Sequence, residues 1–121
     1  MDLKMYLLDK SEKLKLDNKD LTLVEFRNLL LQEVKECEIE MEKIRVYKKC
    51  GDKSQKHMIL LTQELLDVIQ ICITGLVMLE KQGIDIRSQL LNHNNKLINE
   101  RQWEYKKCIE MRVIENGSKN N

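Results

Sequence analysis

The chain has no proline, four glycines in 121 residues, and five aromatic side chains: one Trp, one Phe and three Tyr. So little turn chemistry, with strand-favouring types so thinly spread, excludes a sheet core. No charge of either sign dominates, at 21 basic against 20 acidic residues. The basic field expected of a nucleic-acid binder is therefore missing, and no nucleic-acid polymer is expected as a partner. Cys37, Cys50, Cys72 and Cys108 stand 13, 22 and 36 residues apart, with no CxxC pair and no zinc-type spacing. They read as reduced thiols that pack as small hydrophobes, not as a disulfide framework. The opening MDLKMYLLDKSEK lacks the unbroken apolar core of a signal peptide. The longest apolar stretch, Leu65 to Leu79, contains Asp67 and Gln70 and is too short to span a bilayer. The expectation is a soluble cytoplasmic protein with no membrane contact.

What is present favours helix. A third of the residues are charged, and Leu, Lys, Glu, Ile and Met are abundant. The length fits one domain, and a domain this small gains from an oligomer interface. Residues 1–20 read as a charged arm or short helix with a small apolar cluster from Met5 to Leu8. Thr22 is a candidate N-cap with Glu25 as its capping-box partner, opening a first helix over 22–49. Phe26, Leu29, Leu30, Cys37, Met41 and Ile44 form its apolar stripe. Cys50-Gly51-Asp52 breaks it, Gly51 being suited to a left-handed cap.

A second helix runs from about Ser54 to Gln82. Its centre, LLDVIQICITGLVML, is apolar nearly all round, so it needs cover on more than one side. Three or four helices of one chain give too little, which points to an all-α bundle completed by dimerisation. Gly83 ends this helix, Asp85 caps a third over 86–100, and 101–114 can extend as further helix. The domain thus covers 21–115, with a polar tail over 116–121.

The acidic residues carry the chemistry. Advancing about 100° per residue, Glu36 falls about 60° from Glu33, and both lie inside the apolar stripe marked by Phe26, Leu29, Cys37 and Ile44. The second helix repeats this, with Asp67 about 60° from Glu64 among Leu60, Val68, Ile71 and Gly75. An isolated ExxE usually lies on a solvated face; here each i, i+3 pair faces a core. Unpaired carboxylates there are costly and repel one another, and a divalent cation resolves both problems. Hard oxygen ligands select magnesium or manganese. Glu40 shares the face and reads as a rim charge or a lysine partner. His57 and His93 have no triad-like company.

These elements resemble a known family. QEVKEC at 32–37 is similar to the EExxEL element of the MazG-like all-α nucleoside triphosphate pyrophosphohydrolases, and QELLDVIQIC at 63–72 to their EELxDVLxxL element. The 27 residues between Glu36 and Glu64 fit the family's variable gap, and GID at 83–85 and NKLINERQW at 95–103 extend the resemblance over about residues 22–103. Lys35 stands where many members have glycine, and Glu100 with Gln102 interrupts the usual close. The resemblance implies a dimer or dimer of dimers, and magnesium-dependent cleavage of a nucleoside triphosphate to monophosphate and pyrophosphate. It makes Glu33, Glu36, Glu64 and Asp67 metal ligands, with Glu36 the candidate to activate water. It makes Lys96, Asn99 and Arg101 phosphate or sugar contacts. Read without it, Lys96 is a solvated lysine near a helix end, although Asn92, Lys96 and Asn99 share one unusually polar face. Trp103 is either a base-stacking or an interface residue. The related alternative is a phosphoribosyl-ATP pyrophosphohydrolase; the alternative from another class is a non-catalytic helical dimerisation or binding module.

Overall fold

The computed structural model describes residues 4–48 and 51–114, so Cys50 and the tail 116–121 lie outside the described residues. The chain divides into two units, Met1–Ile86 and Arg87–Asn121. Its elements are a hairpin of β1 (Lys10–Ser11) and β2 (Leu16–Asp17), then helices α1 (Leu23–Tyr47), α2 (Gly51–Lys81) and α3 (Ile86–Asn95), then a π-helical turn over Lys96–Glu100. The helical character follows from the composition.

The start of α1 is the expected capping box. Thr22 Oγ1 accepts the Glu25 backbone N–H at 3.1 Å, and Glu25 Oε1 accepts the Thr22 N–H at 3.1 Å. Against α1 packs α2, and the partners run in opposite order. Phe26 meets Gly75, Glu33 and Glu36 meet Glu64 and Asp67, and Glu40 meets His57. The two helices are therefore an antiparallel hairpin. A Cβ on Gly75 would sit 2.5 Å from Phe26 Cζ, so glycine there lets the aromatic ring lie on the α2 backbone.

Phe26, Leu29, Leu30 and Ile44 are half-buried and Cys37 is buried, as the stripe predicts, but Met41 is 49% exposed. Met41 lies at the edge of the stripe, about 80° from Glu33, and so points off the line of contact with α2. The C-terminal end of α2 has a left-handed glycine, Gly83 at φ +93°. Its N–H donates to Glu80 O at 3.0 Å while Ile84 N–H donates to Leu79 O at 3.2 Å. This is the Schellman pattern, which consumes carbonyls that the helix leaves unpaired.

Four expectations are corrected. The N-terminal arm forms a two-residue-by-two-residue antiparallel hairpin, not a helix, with Lys10 opposite Asp17 and Ser11 opposite Leu16. Lys15 closes its turn with a positive φ of 55°, and Ser11 Oγ accepts the Leu14 N–H, local bonds that compete with helix. The third helix reaches its expected end at Glu100, but it is α-helical only to Asn95 and its last five residues, Lys96–Glu100, form a π-helical turn. Residues 101–114 form no helix: Gln102 takes φ 56°, and every residue from Arg101 to Ile114 is exposed. A short segment with no face to bury lacks the packing that sustains helices of this length. Finally, α2 is long and apolar enough to cross a membrane. The span Lys53–Lys81 contains an 18-residue window of mean hydropathy 1.5. The stretch Leu65 to Leu79 understates the helix because residues 58–63, before Glu64, are uncharged as well and belong to the same helix.

Candidate metal centre

Glu33 and Glu36 come from successive turns of α1, and Glu64 and Asp67 from successive turns of α2. One carboxylate oxygen from each lies within 4.8 Å of the others. The i, i+3 spacing aims each pair in one direction, and the antiparallel contact brings the pairs opposite each other. Glu33, Glu36 and Glu64 are half-buried, while Asp67 is exposed and opens the cluster to solvent. Beneath it lies the buried Cys37. Its thiol is pushed up by burial and by the surrounding carboxylates, Glu64 foremost, so it stays protonated as an apolar floor.

Electrostatically the cluster is frustrated. Burial, then the charges of Glu36 and Asp67, push the Glu33 carboxyl up to about 7. The Glu64 carboxyl is also raised, first by its hydrogen-bond contact with Glu36 and then by burial. Two carboxyls can share a hydrogen bond only by holding a proton between them. Even so, Glu33 Oε2 and Glu64 Oε2 are buried with no hydrogen-bond partner. Gln32 reaches Glu36 Oε1 only at 3.5 Å. Among the described residues no lysine or arginine pairs with any of the four.

The donor set suits a hard divalent cation. Oxygens on opposite sides of magnesium stand roughly 4.2 Å apart, twice the metal–oxygen distance, so a spread within 4.8 Å needs a contraction of a few tenths of an ångström. Two orphaned, buried oxygens are the positions such an ion would satisfy. An all-carboxylate set with its one nearby thiol protonated disfavours zinc and copper.

Next to these carboxylates sits a network that the sequence reading split into unrelated parts. Glu40 is buried and pairs with Lys43 at 3.5 Å, which matches the lysine-partner expectation. Its other oxygen is 2.7 Å from His57 Nδ1 on α2. His57 stacks on the Tyr47 ring, with centroids 5.5 Å apart, and Lys53 lies over that ring at 5.3 Å. The His57 contact, reinforced by Lys43, holds the Glu40 carboxyl below its usual range. The signal was available in the sequence: His57 stands seven residues before Glu64, two turns along the same face. Glu40 is thereby a paired structural carboxylate, unlike the four beside it.

The substrate candidates lie in the second unit. Lys96 is half-buried in the π-helical turn. Asn99 donates from Nδ2 to Asn95 Oδ1, which occupies its side chain within the same segment. Arg101 is exposed, its backbone N–H bonded to Lys96 O at 3.0 Å. The widened turn removes the α-helical register that puts Asn92, Lys96 and Asn99 on one line. Trp103 is 65% exposed, with its backbone N–H bonded to Leu97 O. Comparison of the chain with family models, with curated proteins and with solved structures gives no match in any of the three.

Proposed function

We propose that this chain is a magnesium-dependent nucleoside triphosphate pyrophosphohydrolase, a soluble cytoplasmic enzyme that releases a monophosphate and pyrophosphate. The observation that supports this reading is the meeting of Glu33, Glu36, Glu64 and Asp67, with no lysine or arginine paired to them among the described residues. Structural carboxylates in folded proteins acquire partners, as Glu40 does here. Four that meet without a cationic partner among the described residues, two of them with a buried oxygen left unpaired, suit a cation supplied from outside.

Magnesium, with manganese as a substitute, would give the site positive charge for the triphosphate oxygens and acidify water there. The chain's own residues do the rest. Glu36, which touches both Glu33 and Glu64, orients the attacking water and takes its proton. Cys37 and the apolar stripe beneath hold the carboxylates rigid and keep their inner oxygens dry. For Lys96, Asn99 and Arg101, the resemblance gives the role of phosphate or sugar contacts.

The test is a screen of nucleoside triphosphates, and of phosphoribosyl-ATP, with magnesium and with chelator. Pyrophosphate should be released in magnesium alone. Orthophosphate as first product would move the cleaved bond to the terminal phosphate and reject the reading. Magnesium binding with no turnover of any substrate would favour the non-catalytic module.

A further inference from the structure

The N-terminal arm lies along one side of α2, and that side begins at the metal centre. Gln70 Nε2 donates to Tyr6 O at 2.6 Å, and Leu7 and Leu8 line a crevice with Thr74, Met78 and Lys81. Asp67, Gln70, Thr74, Met78 and Lys81 follow one another at steps of three and four residues, so they form one stripe along the helix. The Tyr6 anchor on Gln70 is therefore one turn from Asp67, about 4.5 Å of helical rise. Asp67 is also the carboxylate through which the cluster opens to solvent.

The course of the arm is set at both ends. From Tyr6 to Asp9 it runs toward the C-terminal end of α2. There Asn18 holds it, donating from Nδ2 to Leu8 O at 3.0 Å and from its backbone N–H to Asp9 O at 2.8 Å. Tyr6 contributes its carbonyl to this packing, while the residue as a whole is 73% exposed. An aromatic ring fixed by its backbone beside a polar opening, and not spent on a core, is a platform for another flat ring. Lys4, also exposed, stands two residues before Tyr6 on the end that leads back past Gln70.

We propose that the arm is the nucleobase side of the site: the Tyr6 ring stacks on the base of a triphosphate held at the four carboxylates, and the Lys4 ammonium meets its phosphate chain. This inference rests on the proposed function for the presence of a nucleotide and adds a subsite in the first unit. A ribose separates base from α-phosphate by a distance on the order of one helical turn, the step from Asp67 to Gln70. Stacking tolerates any base, so the arm favours nucleotides over inorganic polyphosphate and discriminates little among bases. Gln70 acts through Tyr6 and is a positioning residue.

The experiment uses the full chain with magnesium, nucleoside triphosphates as substrates, and inorganic tripolyphosphate as a competitor that has no base. Tyr6→Ala should raise KM for the nucleotides about tenfold, the size of one base–aromatic stack, with kcat changing less. Its inhibition by tripolyphosphate should change little, and Tyr6→Phe, which keeps the ring, should restore the wild-type KM. Gln70→Ala should give part of the Tyr6→Ala effect and add nothing to it in the double variant, because both act through one ring. Lys4→Ala should weaken nucleotide and tripolyphosphate alike. Leu14→Ala, at the hairpin turn, should match wild type. A second readout needs no turnover: an α,β-methylene nucleoside triphosphate with magnesium should slow trypsin cleavage after Lys4 in wild type and not in Tyr6→Ala. A wild type that cleaves nucleotides while Tyr6→Ala keeps its KM overturns the inference and leaves the proposed function standing. An equal loss of tripolyphosphate affinity in Tyr6→Ala also overturns it, since the ring would then serve the fold and not the base. Lys4→Ala with unchanged affinities overturns the phosphate contact. A wild type that neither cleaves nucleotides nor gains protection from the analogue overturns the proposed function, and the inference with it.

Discussion

Replacing Glu33 by Gln tests whether the cluster is a site of stored repulsion awaiting a cation. The side chain keeps its shape, and its new amide N–H can donate to Glu36 as the protonated acid does. What is lost is the charge. In the metal-free protein the Glu33 carboxyl is raised from 4.5 to about 7, which caps its unfavourable contribution at roughly 3.4 kcal/mol. Because the cluster opens to solvent at Asp67, screening reduces this to on the order of 1–2 kcal/mol.

The sign follows from proton linkage. Below about pH 4.5 the group is protonated in both folded and unfolded chains and affects nothing. From about 4.5 to about 7 the folded protein holds a proton that the unfolded chain has released, so stability falls as pH rises. Above that window the loss is complete and constant. With an unfolding entropy of about 2.1 cal/mol/K per residue, the variant should melt roughly 4–8 °C above wild type near pH 8 and level with it near pH 4.5. Melting curves in chelator, compared as variant minus wild type, cancel every other titrating group that the substitution leaves alone. Magnesium at a hundredfold excess over its dissociation constant should then raise the wild type by about 2.7 kcal/mol, roughly 10 °C. The variant should gain much less. A variant less stable than wild type by the same amount at both pH values would refute the reasoning, because Glu33 would then be making a favourable contact. Equal magnesium shifts would show that it is no ligand.

The neighbouring carboxylate should behave in the opposite sense. His57 holds the Glu40 carboxyl below its usual range, so its stabilising effect is present above about pH 4.5 and lost as pH falls. Glu40→Gln should therefore cost roughly 4 °C in melting temperature at neutral pH, with the difference closing toward pH 3. At Gly75, alanine would gain about 1 kcal/mol of helix propensity, but its Cβ would meet the Phe26 ring at 2.5 Å, which costs about 1–3 kcal/mol. Gly75→Ala should destabilise wild type and stabilise a Phe26→Leu background; the same sign in both would refute the close approach. In pyrophosphate release, Glu64→Gln should abolish turnover at every magnesium concentration, and rescue by excess magnesium would remove Glu64 from the site.

Much of this molecule was legible along the chain. Thr22 and Glu25 announce the start of α1, Gly83 the end of α2, and the two acidic pairs declare themselves by falling inside apolar stripes. These are consequences of helical period and of local backbone bonds, which operate within a few residues. That the pairs meet, and that Glu33 and Glu64 keep buried oxygens without partners, depends on two helices crossing at one level. Only packing sets that level. The link between Glu40 and His57 and the seat of the arm on Gln70 were hidden for the same reason: each joins residues 17 or 64 apart. The failures have a physical cause too. Residues 101–114 read as helix because propensity favours it, but propensity without a face to bury does not sustain a short helix. The all-round apolar character of α2 showed in the sequence that cover was needed. Only the tertiary structure decided which two sides receive it, because the placement of α1 and the arm is fixed by contacts far apart in the chain.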